Sequence, residues 1–315
     1  MTNKMRGLIA FAIVCSLAIG SCCRNPQPVN APCPATMFAV QVGGFDTATA
    51  TYQASFGILN TSTPAFTKIT THQNIITGTW NSELNGYRTI TDSAYTAGAQ
   101  TYHVPVLYTI TDFGMIKRYV PIDTIPVPVL SQLEFDAPNV RLLTLNNGNT
   151  LAEIQRQDST YTVLPILTTQ AGIVSIITGA SSGTVYVYTA AGELSAIPAS
   201  AAGVYSVTTA VGLSWLKYNN NDNMFYGIKR NPANGAYTFI KMDLKGNITD
   251  LASLPFDNST YVAGACLDAC NNNYVISAGQ VGVASKGTIY VYGLTGSLLT
   301  NTGVNYVVKG MAVRY

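Results

Sequence analysis

Residues able to do chemistry are sparse in this sequence, and the patterns they form argue for turns more than for active sites. Gly179-Ala180-Ser181-Ser182-Gly183 matches the G-x-S-x-G pattern of a nucleophile elbow. That elbow needs a helix after the serine and, in hydrolase order, a histidine later in the chain. Here the strand-like run TVYVY follows and both histidines, His72 and His103, lie upstream, so a flexible hairpin turn is the expectation. Residues 282–288, GVASKGT, carry the spaced glycines of a phosphate-binding loop without the lysine that reaches the phosphates. Asn219, Asn221 and Asn223 alternate like calcium-loop ligands, but Met224 and Arg230 stand where such a loop needs glycine and glutamate. An asparagine-rich hairpin end is the better reading, since asparagine tolerates the left-handed backbone of tight turns. Glu83, Asp222 and Asp268 each fall beside the first turn of an expected hairpin. They would form a calcium site if the fold gathered them and are solvated turn acids if it does not. The two histidines fit no zinc spacing. Cys266 and Cys270 would form a disulfide only if a bend lay between them, because four residues of extended strand exceed its reach.

The elements that must position these residues are strands. From Thr36 onward apolar and polar residues alternate, as in Thr184-Val185-Tyr186-Val187-Tyr188, and turn signals recur at Asn85-Gly86, Asn147-Gly148, Lys245-Gly246 and Thr295-Gly296. Residues 211–313 state a unit of two hairpins twice and begin a third. A glycine marks each opening strand, at Gly212, Gly264 and Gly310, 52 and 46 residues apart, with a further copy at Gly78 and a weaker one at Gly172. Later hairpins are expected to centre on Gly57, Gly114, Gly148, Gly192, Gly246 and Gly296. The body therefore begins with the later strands of one unit, about residues 37–70, and ends with a lone opening strand, residues 306–313. In an all-β propeller these pieces complete one blade, closing the ring by pairing the N- and C-terminal strands and removing two open edges. At about 46 residues per repeat the body holds about six blades of four antiparallel strands. Five or seven also fit, because the register lapses between Val127 and Ile177. A β-sandwich is the alternative, although sandwiches do not repeat a four-strand unit at this period. Trp80 and Trp215, just beyond two of the strand glycines, are expected to pack blade against blade.

Lys4 and Arg6 precede an apolar run from Leu8 to Ile19, too short to span a bilayer, and then Ile19-Gly20-Ser21-Cys22. That stretch resembles the lipobox of bacterial lipoproteins. The resemblance implies a signal peptide over residues 1–21, lipidation (palmitate-type acylation) of Cys22, and a stable membrane anchor, since several acyl chains exceed the single-chain limit. Residues 22–35 then form the lipidated cysteine and a tether whose prolines at 26, 28, 32 and 34 favour an extended chain, leaving 36–315 as the propeller domain. Asp-Ser/Thr triplets at Thr47, Ser93, Thr124 and Ser159 resemble the O-glycosylation acceptors of exported Bacteroidetes proteins. Surface-exported lipoproteins of that phylum carry acids just after the lipidated cysteine. None occurs here before Asp46, which favours the periplasmic side of the outer membrane. Without residues 1–21 the chain has 15 bases and 15 acids, offering no basic surface for nucleic acid.

Asp243-Leu244-Lys245-Gly246-Asn247-Ile248, together with Leu267-Asp268 and Asn272-Asn273-Tyr274-Val275, resembles the blade turns of NHL-type six-bladed propellers. The resemblance covers two blades well. It implies a fold that houses binding modules, lactone hydrolases and lyases, so it constrains fold more than function. The expectation is a lipid-anchored, non-enzymatic cell-envelope propeller that binds a protein or glycan without a cofactor. The alternative is a calcium-dependent hydrolase or lactonase on the same fold, drawing on Glu83, Asp222 and Asp268.

Overall fold

A computed structural model describes residues 35–315 apart from 47–50, 74, 98–99, 123–128, 158–159, 180 and 200–203. Cys22, Thr47, Thr124 and Ser159 lie outside the described residues, and Ser93 is described only as backbone in the strand Gly86–Ala97. Six four-stranded antiparallel sheets stand in a ring, which makes the body a six-bladed β-propeller and sets the sandwich aside. Blades II to VI follow the chain as residues 75–121, 130–168, 173–208, 213–253 and 260–304. Blade I takes its second, third and outer strands from residues 36–73 and its innermost strand, Val307–Arg314, from the end of the chain.

That innermost strand pairs antiparallel with Thr36–Asp46, from Thr36 opposite Arg314 to Val42 opposite Val307, so the ring is closed as the repeat implies. Alternation explains the packing: Phe38 and Val40 enter the cluster shared with blade II, whereas Met37 and Ala39 enter the cluster shared with blade VI. These seams are filled by apolar side chains from the facing sides of adjacent twisted sheets. Trp80 lies in the seam of blades I and II, stacked on Phe38 at 4.8 Å.

The glycine marks acquire causes. Gly78 has no room for a Cβ, which would stand 2.3 Å from the ring of Tyr87, and Gly310 has φ +56 with Tyr87 Oη where its Cβ would be. The buried Tyr87 thus occupies the space above both glycines, and its hydroxyl donates to the Gly310 carbonyl. Gly212 and Gly172 differ from this pattern, since they precede their innermost strands, Leu213–Asn219 and Ile173–Ile177. Gly57 is no turn at all: it lies inside the strand Thr51–Asn60 opposite Lys68, and the chain turns at residues 61–64. Its missing side chain lets Phe66 close over the sheet. Gly148 and Gly192 do sit in turns, but between second and third strands, whereas Gly114, Gly246 and Gly296 join third strands to outer ones.

Removing residues 306–315 deletes the buried Val307, Val308, Met311 and Ala312 and opens two sheet edges. The expected cost is about 5 kcal/mol or more, read as a lowered and broadened thermal transition by calorimetry. A truncated chain that keeps its melting temperature would contradict closure through this strand.

Candidate functional site

The six innermost strands surround a central cavity of about 320 Å³. Each of the six carries a register shift against its second strand, located at Ile75/Thr77, Ser131/Leu133, Ile173/Ser175, Ser214/Lys217, Val262/Gly264 and, for blade I, opposite Ala39. Bulges steepen the local twist and re-aim side chains. Here the bulged residues Gln132, Val174, Trp215, Leu216, Ala263, Gly310 and Met311 are among those lining the cavity. Gln132 and Trp215 hold left-handed backbone angles, φ +44 and +55, which non-glycine residues adopt at a cost. Both are braced from neighbouring blades. Gln132 donates its amide to Val174 O at 2.7 Å and accepts from Ile176 N at 3.1 Å, while the buried Tyr274 hydroxyl donates to Trp215 O. Trp215 therefore lines the channel as well as packing against the seam of blades V and VI, a role beyond the one its spacing suggests.

Across the channel the Lys217 ammonium pairs with the Glu134 carboxylate, joining blades V and III past blade IV. Burial alone pulls the Lys217 pKa down, but the adjacent Glu134 outweighs it and the net value is raised. The two residues hold the same place in matching strands, LSQLEFD and LSWLKYN, and that parallel is the sequence signal that identifies them. Lys309, on the innermost strand of blade I, lines the same cavity. Burial lowers its pKa, and no carboxylate among the described residues reaches it. Cys266 is free and buried in the seam of blades VI and I; burial pushes its thiol up to about 12, against the downward pull of Lys217.

The expected disulfide between Cys266 and Cys270 is not formed. The innermost strand of blade VI stays extended through Asp268, so Cys270 already belongs to the turn while Cys266 points into the core, and Cys270 is disulfide-bonded elsewhere.

Glu83, Asp222 and Asp268 lie at the first turns of blades II, V and VI, and the structure does not bring them together. Among the described residues no group of three or more His, Cys, Asp and Glu side chains could share an ion. Glu83 is exposed, Asp222 accepts from Tyr226 Oη at 2.6 Å, and Asp268 accepts from Asn271 Nδ2 at 2.7 Å. Asp268 belongs instead to a recurring position: Asn81, Asp136, Asn219 and Asp268 end four innermost strands, all buried, and each accepts a hydrogen bond from the turn that follows. The asparagine run does related work between blades. Asn220 bonds to Ser181 N at 2.9 Å and to Gly179 O, which places the G-x-S-x-G segment as a turn of blade IV, and Asn221 donates to Ala269 O at 3.0 Å in blade VI. The same face continues with Asn139 to Gly183 O, Ala269 N to Tyr315 Oη at 3.0 Å, and the Arg314–Asp112 ion pair at 2.8 Å. At the seam of blades II and III, Arg88 donates to Tyr161 Oη at 3.2 Å. In the turn Asp243 to Asn247, Asp243 accepts from Asn247 Nδ2, Asn247 N and Lys245 N, bonds that hold its carboxyl below the usual range, and Thr209, just after the outer strand of blade IV, donates to Gly246 O at 2.9 Å.

No family model matches the sequence, and no curated protein is significantly similar to it. Solved structures do resemble the fold. TolB from Acinetobacter baumannii superposes with TM-score 0.59 at 12% identity, over 88% of this chain and 66% of that one, so the chain spans just under two thirds of the TolB structure. A protein described as a putative 6-phosphogluconolactonase from Bacteroides fragilis superposes with TM-score 0.53 at 10% identity, over 89% of this chain and 98% of that one. At these identities the likeness is one of fold.

Two outcomes are expected. Glu134→Gln leaves Lys217 unpaired across the channel and costs about 2 kcal/mol in urea unfolding, whereas Glu134→Leu with Lys217→Met recovers most of the loss; equal losses would contradict the pairing. Stability also falls above about pH 9. Burial raises the pKa values of Tyr87, Tyr188, Tyr226, Tyr274 and Cys266 in the folded chain, so the unfolded chain gives up those protons first. Lys217 acts in the same sense, its contribution complete below the unfolded value and lost as pH rises through the raised folded one, while Lys309 opposes them. Urea midpoints that stay level from pH 7.5 to about 10.5 would contradict this.

Proposed function

We propose that this propeller is a non-enzymatic binding module of the bacterial outer membrane, anchored through Cys22 and docking a membrane-proximal envelope protein on the face that carries the first turns of its blades. The observation that carries the reading is how apolar side chains are distributed. Phe113 is 84% exposed and Met115 68%, at the tip of the last turn of blade II, and Leu84, Val140, Tyr205, Leu244, Leu299 and Tyr315 are exposed on the same face. Among the described residues the opposite face exposes fewer, chiefly Val129, Val211, Tyr261, Val281 and Val283. Exposed apolar groups on a stiff scaffold suit protein recognition, and the hydrogen-bonded belt from Asn139 to Asp112 supplies the stiffness.

Orientation supports the same partner class. Thr36 pairs with Arg314, so the chain enters the body on this face. The proposed anchor, Cys22, precedes Thr36 by only 14 residues in the sequence, which favours this face as the one turned toward the membrane. The channel adds no support for catalysis: the Cys266 thiol is protonated at neutral pH and Glu134 is taken up by Lys217. The calcium-dependent hydrolase reading draws on fold likeness alone.

A photo-crosslinking residue placed at Phe113, and separately at Val281, tests the assignment in intact cells. The expected result is one discrete protein adduct from position 113 and none from 281, with Cys22→Ser releasing the body from membranes and abolishing the adduct. Lipid adducts alone at position 113, or equal protein adducts from both faces, would overturn it.

A further inference from the structure

The channel holds a charge that the fold does not use. Lys217 and Glu134 neutralise one another, leaving the Lys309 ammonium as the one cation lining the cavity without an ionic or hydrogen-bond partner among the described residues. Thr77, Ser131, Ser175 and Ser214 line the same cavity, and their side-chain hydroxyls are likewise without hydrogen-bond partners among the described residues. The neighbouring backbone is otherwise engaged: Thr89 donates to Thr77 O, Thr144 to Ser131 O, and the amide of Gln132 is taken up by blade IV. A structural channel core would be filled with apolar side chains or with polar groups that satisfy one another. An ammonium kept partly buried and unpaired costs stability, and such a cost is commonly retained where a site needs it.

We infer that the channel binds a small hydroxylated carboxylate, with its single negative charge at Lys309 and its hydroxyls at Thr77, Ser131, Ser175 and Ser214. The charge count selects the class, because one free ammonium matches a monoanion, whereas a phosphate monoester brings close to two charges. The cavity of about 320 Å³ fits a ligand of this size, at the small end of known ligand pockets. This site is separate from the docking face, so either stands if the other fails.

Thermal shift of the mature chain with gluconate, lactate, neutral glucose and inorganic phosphate, all at the same concentration of about 10 mM, tests the inference. Gluconate or lactate is expected to raise the melting temperature by about 2 °C or more, glucose and phosphate by less. The effect should vanish in Lys309→Met and survive in Lys309→Arg. Without ligand, Lys309→Met should melt at or above the wild-type temperature, which shows that it folds. Equal shifts from glucose or phosphate, an undiminished shift in Lys309→Met, or no carboxylate-induced shift in the wild type would each overturn the assignment.

Discussion

The pairing of Val307–Arg314 with Thr36–Asp46 is the contact on which the other blades depend. A blade is a twisted sheet with two apolar faces, and it is stable only when both are covered. In an open array of six, two faces and two strand edges would meet water. Closing the ring with one strand from the far end of the chain covers them all, and it places Lys309, Gly310 and Met311 on the channel wall. The closing strand is therefore structural and also part of the cavity.

Inside that ring the polar groups divide into two sets. Buried tyrosines on second strands, Tyr87 and Tyr274, donate to the carbonyls of bulged residues one blade back, Gly310 and Trp215. Their burial would be costly without those partners, and the bulged carbonyls would otherwise lack donors. On the turn face, asparagines and aspartates carry the links between blades. Low charge content and abundant asparagine thus belong to one design, in which neutral hydrogen bonds to backbone work alongside the Arg314–Asp112 ion pair.

The all-β class, closure by the terminal strands and a count near six were legible because blades V and VI repeat with little change. Blades III and IV were not, for physical reasons that the strands display. Blade IV is built of strands of five and four residues, such as Ile173–Ile177 and Tyr205–Thr208, too short to show a clear alternation. Their glycine turns at Gly148 and Gly192 fall between different strands than those of blade V, so the period slips. Gly57 misled because a strand glycine that admits Phe66 looks like a turn glycine. Chemistry was harder to read than fold. Glu134 and Lys217 lie 83 residues apart and meet only because the ring returns the chain across its axis. Aligning LSQLEFD with LSWLKYN reveals their equivalence, and the closing aspartate or asparagine of each strand, once the blade frame is known. Lys309 gives no such signal, since an isolated lysine in an alternating strand reads as an exposed one.

Closure by the last strand is the central claim, and native-state hydrogen exchange measures it most directly. If the ring is one cooperative unit held by that strand, the amides of Val308, Met311 and Ala312 exchange only through global unfolding, with the same denaturant dependence as Val275 and Ile276 in the buried second strand of blade VI. Exchange of the closing-strand amides at rates far above those of blade VI, insensitive to denaturant, would show a strand that frays locally and would contradict the account.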